Sequence, residues 1–445
     1  MRHMFGLPSR YDENFLYWLD RKAPKCQLVA VCTIHVDDLV LAASKGWLET
    51  TYKAFVRKFE KVKRQTLPFN NIGMEYSRTD HGGIILRQVE YASNLKLLQL
   101  GDREEDSETP TASASLAKAG SASKSLTPAE ITMLRGGIGS VPFLCLTRWD
   151  LLYDLVVLQT QAKDASRLQL KECNRIIYAA KRHTHRGLIF EPLTYGKSRC
   201  LRRRLSAVAN SRHASATHSY AFEGHLVFLQ PDCDAKPQQT KDFGEALPAN
   251  NVPGLSSRVH PLHVNSQKAK RPSQSTCHAE TLSQLSCTAV AECVAMRYTE
   301  MVLAWSKDGV DIRGTSLHKG TPTLERLMEA DLQGGYSVPV DSWTDCLDLL
   351  ELTTGLKGVP QYRHQRLAIL ALREKRVAGR IRLSHWMQTD WMIANALTKH
   401  DPNCITMWDL LTKGRWDIGG NVRIRKTINV ADHEESDLRN MKLEE

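Results

Sequence analysis

Two adjacent aspartates, Asp37 and Asp38, lie between two short apolar runs at residues 28–32 and 39–43. Both runs are rich in aliphatic and β-branched residues and are short enough to be strands. The pattern predicts a β-hairpin with the acidic pair at its tip. Two neighbouring carboxylates are costly to bury unless a cation neutralises them. The pair therefore indicates either a metal site or an ordinary exposed turn.

The composition favours a folded, intracellular protein. With 445 residues, 42% of them hydrophobic, the chain can form two to four domains with real cores. No apolar run reaches the length of about 18 residues that a membrane span needs, and the first residues do not resemble a signal peptide. We expect a location in the cytoplasm or nucleus and no membrane partner. The formal charge of +11 favours polyanionic partners.

The cysteines give no sign of a zinc site. There are 11 of them, scattered along the chain without a Cys-x-x-Cys pair or a Cys/His zinc spacing. We interpret them as free thiols, mostly buried, in a reducing compartment.

Periodicity, turn residues and capping residues predict the elements after the hairpin. Thr127, Pro128 and Glu130 are typical of a helix start, with Thr as N-cap and Pro at the first position. The predicted elements are an amphipathic helix at 47–63, strands near 73–76 and 83–86, and helices that begin at Thr127 and run over 166–181.

The second half of the chain predicts a layered α/β sheet, because a three-strand meander is followed by alternating helices and strands. The long helix runs from about 277 to 298, and a small strand lies at 421–424. The larger strands centre on residues 205–209, 225–229, 261–264, 338–340 and 381–386. The inner stripe of the long helix is predicted to be Leu282, Leu285, Ala289, Cys293 and Met296.

The hairpin and the segments after it resemble the reverse transcriptase of copia-type LTR retrotransposons. In that family a Val-Asp-Asp turn holds divalent metal, which would make Asp37 and Asp38 catalytic, metal-binding residues. The resemblance continues through Phe59-Glu60 and residues 72–75 and 83–91, and then through 134–140 and 146–151, where Trp149 replaces the usual Pro. The partner carboxylate from an earlier palm strand would lie upstream of residue 1.

The last part resembles the ribonuclease H domain that follows this polymerase. Residues 265–282 are similar to the family segment "W.S.K…..ST..AE", residues 343–346 fit the second acidic strand end, and 392–399 are similar to "ADaLTK". The implied fold class is α/β: an α+β palm remnant with a helical thumb and connection, then a ribonuclease H-like mixed sheet with helices.

The ribonuclease H resemblance also implies a site. Its chemistry uses two divalent ions, Mg2+ or Mn2+, held by a carboxylate cluster. By resemblance Glu280 and Asp345 are catalytic, metal-binding members of that cluster. The other two positions are Asn210 and Asn395, where the family has Asp. An amide oxygen supplies no negative charge, so we expect Mg2+ binding to be severely weakened.

The resemblance divides the chain into five segments. These are a reverse transcriptase palm end and thumb-like part at 1–101, a flexible linker at 102–125, a helical connection at 126–198, a ribonuclease H-like domain at 199–400 with an insertion at 231–258, and a C-terminal tail at 401–445.

The expected function is that of a truncated copia-type Pol fragment, ancestrally an RNA-directed DNA polymerase and ribonuclease H, now without either activity. One alternative is a non-catalytic nucleic-acid-binding protein, and another is a basic globular protein that binds no nucleic acid. The candidate partner is an RNA–DNA hybrid or another nucleic acid. Candidate contacts are Arg202, Arg203, Arg204, Lys268, Lys270 and Arg271. The run at 199–204 is also open to reading as a nuclear signal, and a basic run of this kind is more often a solvated loop.

Overall fold

The computed structural model describes residues 6–20, 27–100, 126–195, 198–199, 203–212, 220–232, 246–252, 255–303, 322–400 and 404–426. The predicted linker at 102–125, and the part of the predicted tail beyond residue 426, lie outside the described residues. The chain forms two compact units. The first contains Met1–Thr66, Val290–Pro339 and Ala378–Ile381, and the second contains Leu67–Ala289, Val340–Val377 and Arg382–Glu445.

The first unit is built on an antiparallel sheet of four strands that follow one another in chain order. The strands are β1 (Leu7–Pro8), β2 (Phe15–Asp20), β3 (Gln27–His35) and β4 (Asp38–Ala43), and the helices include α1 (Lys45–Phe59) and, later in the chain, Leu324–Leu332. Strands β3 and β4 pair from Ala30 opposite Ala43 to His35 opposite Asp38, which confirms the predicted hairpin. Trp18, Ala30 and Cys32 form its buried core.

The second unit contains a smaller antiparallel sheet and a group of helices. Thr127 and Ser166 each cap a helix through a capping box, as the sequence predicts for Thr127. The strands are β5 (Phe69–Asn71), β6 (Met74–Arg78), β7 (Ile84–Arg87) and β8 (Leu188–Phe190), and the helices are α2 (Val89–Asn94), α3 (Pro128–Leu144), α4 (Leu152–Gln161) and α5 (Arg167–Arg182). Strand β8 pairs with β7, so residues on either side of the predicted linker share one sheet.

A seven-stranded mixed sheet dominates the second unit. Its strands are β11 (Arg203–Arg212), β12 (Phe222–Pro231), β13 (Leu247–Pro248), β15 (His260–Lys268), β16 (Val340–Thr344), β17 (Leu383–Met387) and β19 (Asn421–Lys426). Short strands β9 (Thr194–Tyr195), β10 (Ser198–Arg199), β14 (Ser257–Arg258) and β18 (Arg415–Trp416) complete the set in chain order. The order in the large sheet is β13-β19-β17-β16-β11-β12-β15, with β11, β12 and β15 antiparallel and β11, β16 and β17 parallel. The meander and the α/β class agree with the sequence prediction.

The long helix α6 (Thr276–Leu303) forms as predicted, but its predicted inner face is wrong. Ala289 and Cys293 are exposed, whereas Ser283, Cys287 and Ala291 are buried. The Ser283 hydroxyl donates to the Asn210 carbonyl at 2.9 Å, and the Cys287 thiol lies 3.6 Å from the Val208 carbonyl. Small polar residues therefore face the sheet, and a search for large apolar residues does not detect such a face.

The remaining helices are α7 (Leu324–Leu332) in the first unit, and α8 (Leu347–Thr353), α9 (Arg363–Val377) and α10 (Ile405–Lys413) in the second. Across the described ranges, every helix is too short or too polar to cross a lipid bilayer.

Candidate functional site

The hairpin tip in the first unit places the predicted acidic pair at exposed positions. Asp37 and Asp38 are both exposed, and Val36 beside them is 88% exposed with a φ of 56°. Exposed carboxylates remain hydrated, so they do not require a cation to offset burial. This geometry matches the exposed-turn alternative.

The second unit brings together the four positions that the sequence assigns to a nuclease-like cluster. Strands β11 and β16 are parallel neighbours, with Val208 opposite Trp343, so their carboxyl ends meet at one edge of the sheet. Asn210 lies near the end of β11 and Asp345 directly follows β16. The Asn210 side-chain Nδ2 donates to Asp345 Oδ2 at 3.2 Å.

Asn395 completes a chain of amide hydrogen bonds at this edge. It lies in the short 3₁₀ helix Ile393–Leu397, and its Oδ1 accepts from Asn210 Nδ2 at 2.9 Å. Its own Nδ2 donates to the Thr389 carbonyl at 2.6 Å. The Thr398 hydroxyl donates to Asn210 Oδ1 at 3.3 Å. Both polar atoms of the Asn210 amide therefore have partners inside the cluster.

Glu280 reaches the same edge from the second turn of α6. Its Oε1 accepts from the Ser211 backbone N–H at 2.8 Å, next to Asn210. The side chain is 4% exposed, and its other oxygen, Oε2, is buried without a hydrogen-bond partner. Burial, aided by the Asp345 charge, raises the pKa of the Glu280 carboxyl well above its usual value. Burial also raises the pKa of Asp345.

These residues do not fit a centre for two divalent ions. The unpartnered Oε2 of Glu280 offers one ligand atom. However, the Asn210 Nδ2 group donates to Asp345 Oδ2 and to Asn395 Oδ1, which are oxygens that a cation would need as ligands. No cluster of three or more His, Cys, Asp or Glu side chains suited to a metal occurs in the part of the chain that the structure describes. Hard divalent cations prefer several anionic oxygens. Here amide hydrogen bonds hold the cluster together.

The raised pKa of Glu280 predicts a pH-dependent effect of Glu280→Gln. When the pKa of a carboxyl is higher in the folded state than in the unfolded state, folding becomes less favourable as pH rises from the unfolded pKa to the folded pKa. Glutamine removes that loss, so the melting temperature of the variant should exceed that of the wild type increasingly from pH 5 to pH 8, by a few degrees at the upper end. Thermal unfolding of both chains across this range measures it.

The matched control is Glu90→Gln, at an exposed position in the same unit. Because the Glu90 side chain is exposed, this replacement should change the melting temperature little. A Glu280→Gln difference that is constant from pH 5 to pH 8 would contradict the assignment of a costly buried carboxylate.

The structure places the residues predicted to contact nucleic acid in different environments. Arg204 is fully buried, and its Nη1 lies 3.4 Å from Asp341 Oδ2, so its assignment as a nucleic-acid contact is corrected to a buried ion pair. Arg203 is half-buried on β11, and Arg202 lies outside the described residues. Three others are exposed, Lys268 at the end of β15 and Lys270 and Arg271 just after it.

Two residues of the site were not predicted from the sequence. Ser211 and Thr398 hold Glu280 and Asn210 through hydrogen bonds. Thr398 lies within the matched segment 392–399, but the sequence assigned neither residue a role.

Searches of known protein families, of curated proteins and of solved structures found no match to this chain. Function is therefore inferred from the residues of the site and their geometry.

Proposed function

We propose that this chain is a copia-type Pol fragment whose ribonuclease H-like unit retains the arrangement of a nuclease site without its catalysis. One observation carries the proposal. Asn210, Glu280, Asp345 and Asn395, which the resemblance alone groups together, form one connected cluster, although Asn210 and Asn395 are 185 residues apart in sequence. A chance resemblance in scattered segments gives no reason for these four residues to meet.

The loss of catalysis follows from the chemistry of the cluster. Hydrolysis by two divalent ions needs carboxylates that offset the charge of both ions. The cluster offers two, and burial raises the pKa of each. The asparagines occupy the remaining positions with neutral amides that bond to one another and to Asp345.

Exposed basic residues at the same sheet edge favour a remaining role in binding nucleic acid. Phe222 on β12 lies opposite Arg212 of β11 on one side and opposite Lys268 of β15 on the other, so both cations are at the end that carries Asn210. The Lys268 ammonium lies 5.2 Å from the centre of the Tyr220 ring. Cations can bind the phosphates of a nucleic acid, and an exposed aromatic ring can stack on its bases.

The test is binding and cleavage of an RNA–DNA hybrid by the full chain with Mg2+ or Mn2+. We expect binding that weakens as salt rises, and no cleavage. Replacing Lys268, Lys270 and Arg271 by Gln should reduce the slope of log affinity against log salt by up to about 2.7, at about 0.9 for each phosphate that the protein no longer neutralises.

The control replaces three exposed cations elsewhere in the same unit, Lys96, Lys163 and Arg182, by Gln. It removes the same charge and should leave most of the slope in place. Hybrid cleavage that Glu280→Gln abolishes would overturn the loss of catalysis. Absence of binding at low salt would exclude the nucleic-acid role.

A further inference from the structure

The sheet of the first unit has one long edge that no described strand covers. Strand β4 stands last in the order β1-β2-β3-β4, so only β3 lies beside it. At the opposite edge, β1 has two residues and ends in Pro8, which has no N–H for a further strand. β4 has six residues without Pro, Lys or Arg, and its ladder with β3 contains no bulge. Beyond Asp38 at its start, β4 therefore lacks the features that protect sheet edges from pairing.

One backbone hydrogen bond shows which groups of β4 point outward. The Ser44 N–H donates to the Val29 carbonyl of β3 at 3.1 Å. Backbone direction alternates along a strand, so residues 38, 40 and 42 face β3 as Ser44 does. Three residues then direct their N–H and C=O groups away from the sheet: Leu39, Leu41 and Ala43. Within the described ranges, no backbone group pairs with them.

The side chains of these three residues are apolar and incompletely covered. Leu41 and Ala43 pack against the core of the hairpin but are only half-buried, and Leu39 is 47% exposed. Helix α1 leads away from this edge, because Trp47 in its first turn packs on Trp18 of β2, with ring centroids 4.9 Å apart. A further strand beside β4 would therefore bury apolar surface and satisfy backbone groups together.

We propose that β4 pairs with β4 of a second copy of this chain in an antiparallel, two-fold symmetric dimer. An axis at Leu41 places Leu41 opposite its own counterpart and Leu39 opposite Ala43 of the second copy. In this register, every outward N–H and C=O group of the three residues has a partner. The strand thus matches itself, and the two sheets become continuous.

The ends of this ladder are complementary in charge. The register places Asp38 of one copy opposite Ser44 of the other, which is the N-cap residue of α1. That helix start has no side-chain cap bond and no acidic residue in its first turn. Because the positive end of a helix dipole favours a carboxylate, each copy supplies the charge that the other lacks. This complementarity favours a second copy over an unrelated strand.

The dimer does not depend on the proposed nuclease ancestry, because β4 lies in the first unit and the cluster of Asn210 and Glu280 lies in the second. Loss of either proposal leaves the other intact.

The test is sedimentation equilibrium of the full chain over a range of concentrations. The wild type should approach twice its mass of 50.2 kDa as concentration rises. Leu41→Pro removes an outward N–H from each copy and leaves the ladder to β3 in place, so dimerisation should weaken by about tenfold or more. Leu39→Lys places a charge at the same edge and should also weaken it. The control is Thr33→Lys, at an exposed position of the interior strand β3, which should leave the dimer intact.

Leu41→Cys provides a second measurement that keeps the strand unbroken. Residues opposite each other in such a pair have Cα atoms about 5.5 Å apart, within the range of a disulfide. Added glutathione disulfide should join two copies through residue 41, seen as a cross-linked peptide by mass spectrometry, whereas Thr33→Cys should give no such peptide. The proposal is overturned if the wild type stays monomeric at every concentration, or if Leu41→Pro and Thr33→Lys dimerise equally. Absence of the cross-link through residue 41 would also overturn it.

Discussion

Replacing Asp341 by asparagine is expected to lower the free energy of unfolding by about 3–5 kcal/mol, the usual cost of breaking a buried ion pair from one side. Asp341 and Arg204 are both 0% exposed. Asp341 accepts from Arg382 Nε at 2.9 Å and from Arg382 Nη2 at 2.8 Å. Asparagine keeps the shape but removes the charge, so the buried Arg204 guanidinium loses the negative charge of Asp341 beside it. Chemical denaturation of both chains measures the loss.

The matched control is Asp348→Asn. Asp348 bonds to Lys357 at 2.6 Å, but its side chain is 63% exposed, so water screens the pair. An exposed ion pair contributes about 0–1 kcal/mol. If the two substitutions lower the free energy of unfolding equally, the buried Asp341 network does not stabilise the fold more than an exposed ion pair does.

The pH dependence of the Asp341 effect has a definite sign. Burial by itself would raise the pKa of Asp341, but the His385 ring 3.4 Å away, the hydrogen bonds from Arg382 and nearby positive charge hold it well below the usual range. Such a group contributes stability above its unfolded pKa of about 4, and that contribution is lost as pH falls through the lower folded pKa. The difference between wild type and Asp341→Asn should therefore shrink in acid.

Local features of the fold could be predicted because their causes are local. Thr127 caps its helix through contacts within three residues, and the apolar runs around Asp37 need only their own alternation to form a hairpin. The capping groups and the strand residues stand next to one another in the sequence. A short window therefore contains the whole physical cause.

Features that depend on distant partners could not be predicted from such windows. Arg204 belongs to a run of arginines that is typical of a solvated loop, yet Asp341, 137 residues later, holds it inside the sheet. The sequence shows the charge of Arg204 but not its partner. The prediction of the inner face of α6 was wrong for a related reason. Ser283 and Cys287 are buried because they form hydrogen bonds to strand carbonyls, which the sequence does not show.

The resemblance predicted the four cluster positions, and the sequence shows that two of them are asparagines. The hydrogen bonds among these residues were not predicted. Nothing in a sequence states that the Asn210 amide would donate to both Asp345 and Asn395. In that arrangement the Asn210 amide hydrogens lie against oxygens that a cation would otherwise contact. The decisive test places a carboxylate at both asparagine positions.

The double variant Asn210→Asp, Asn395→Asp is expected to bind divalent metal, because it gathers four carboxylates at one edge of the sheet. In the absence of metal it should be less stable than the wild type, because it gathers four carboxylates and loses the donor from residue 395 to the Thr389 carbonyl. A ligand present at 100 times its Kd stabilises the folded state by about 2.7 kcal/mol. Millimolar Mg2+ or Mn2+ should therefore raise the melting temperature by several degrees in the double variant and little in the wild type.

The control variant, Asn70→Asp with Asn94→Asp, adds the same two charges at exposed positions of the same unit. It separates a specific site from general attraction of cations by a more acidic protein. If both double variants respond equally to metal, the cluster has no special affinity and its likeness to a nuclease site is superficial. If only the cluster variant responds, four positions distant in sequence form a cation site when all four carry carboxylates. Cleavage of an RNA–DNA hybrid by that variant, lost again on Glu280→Gln, would support the proposed nuclease ancestry of this unit.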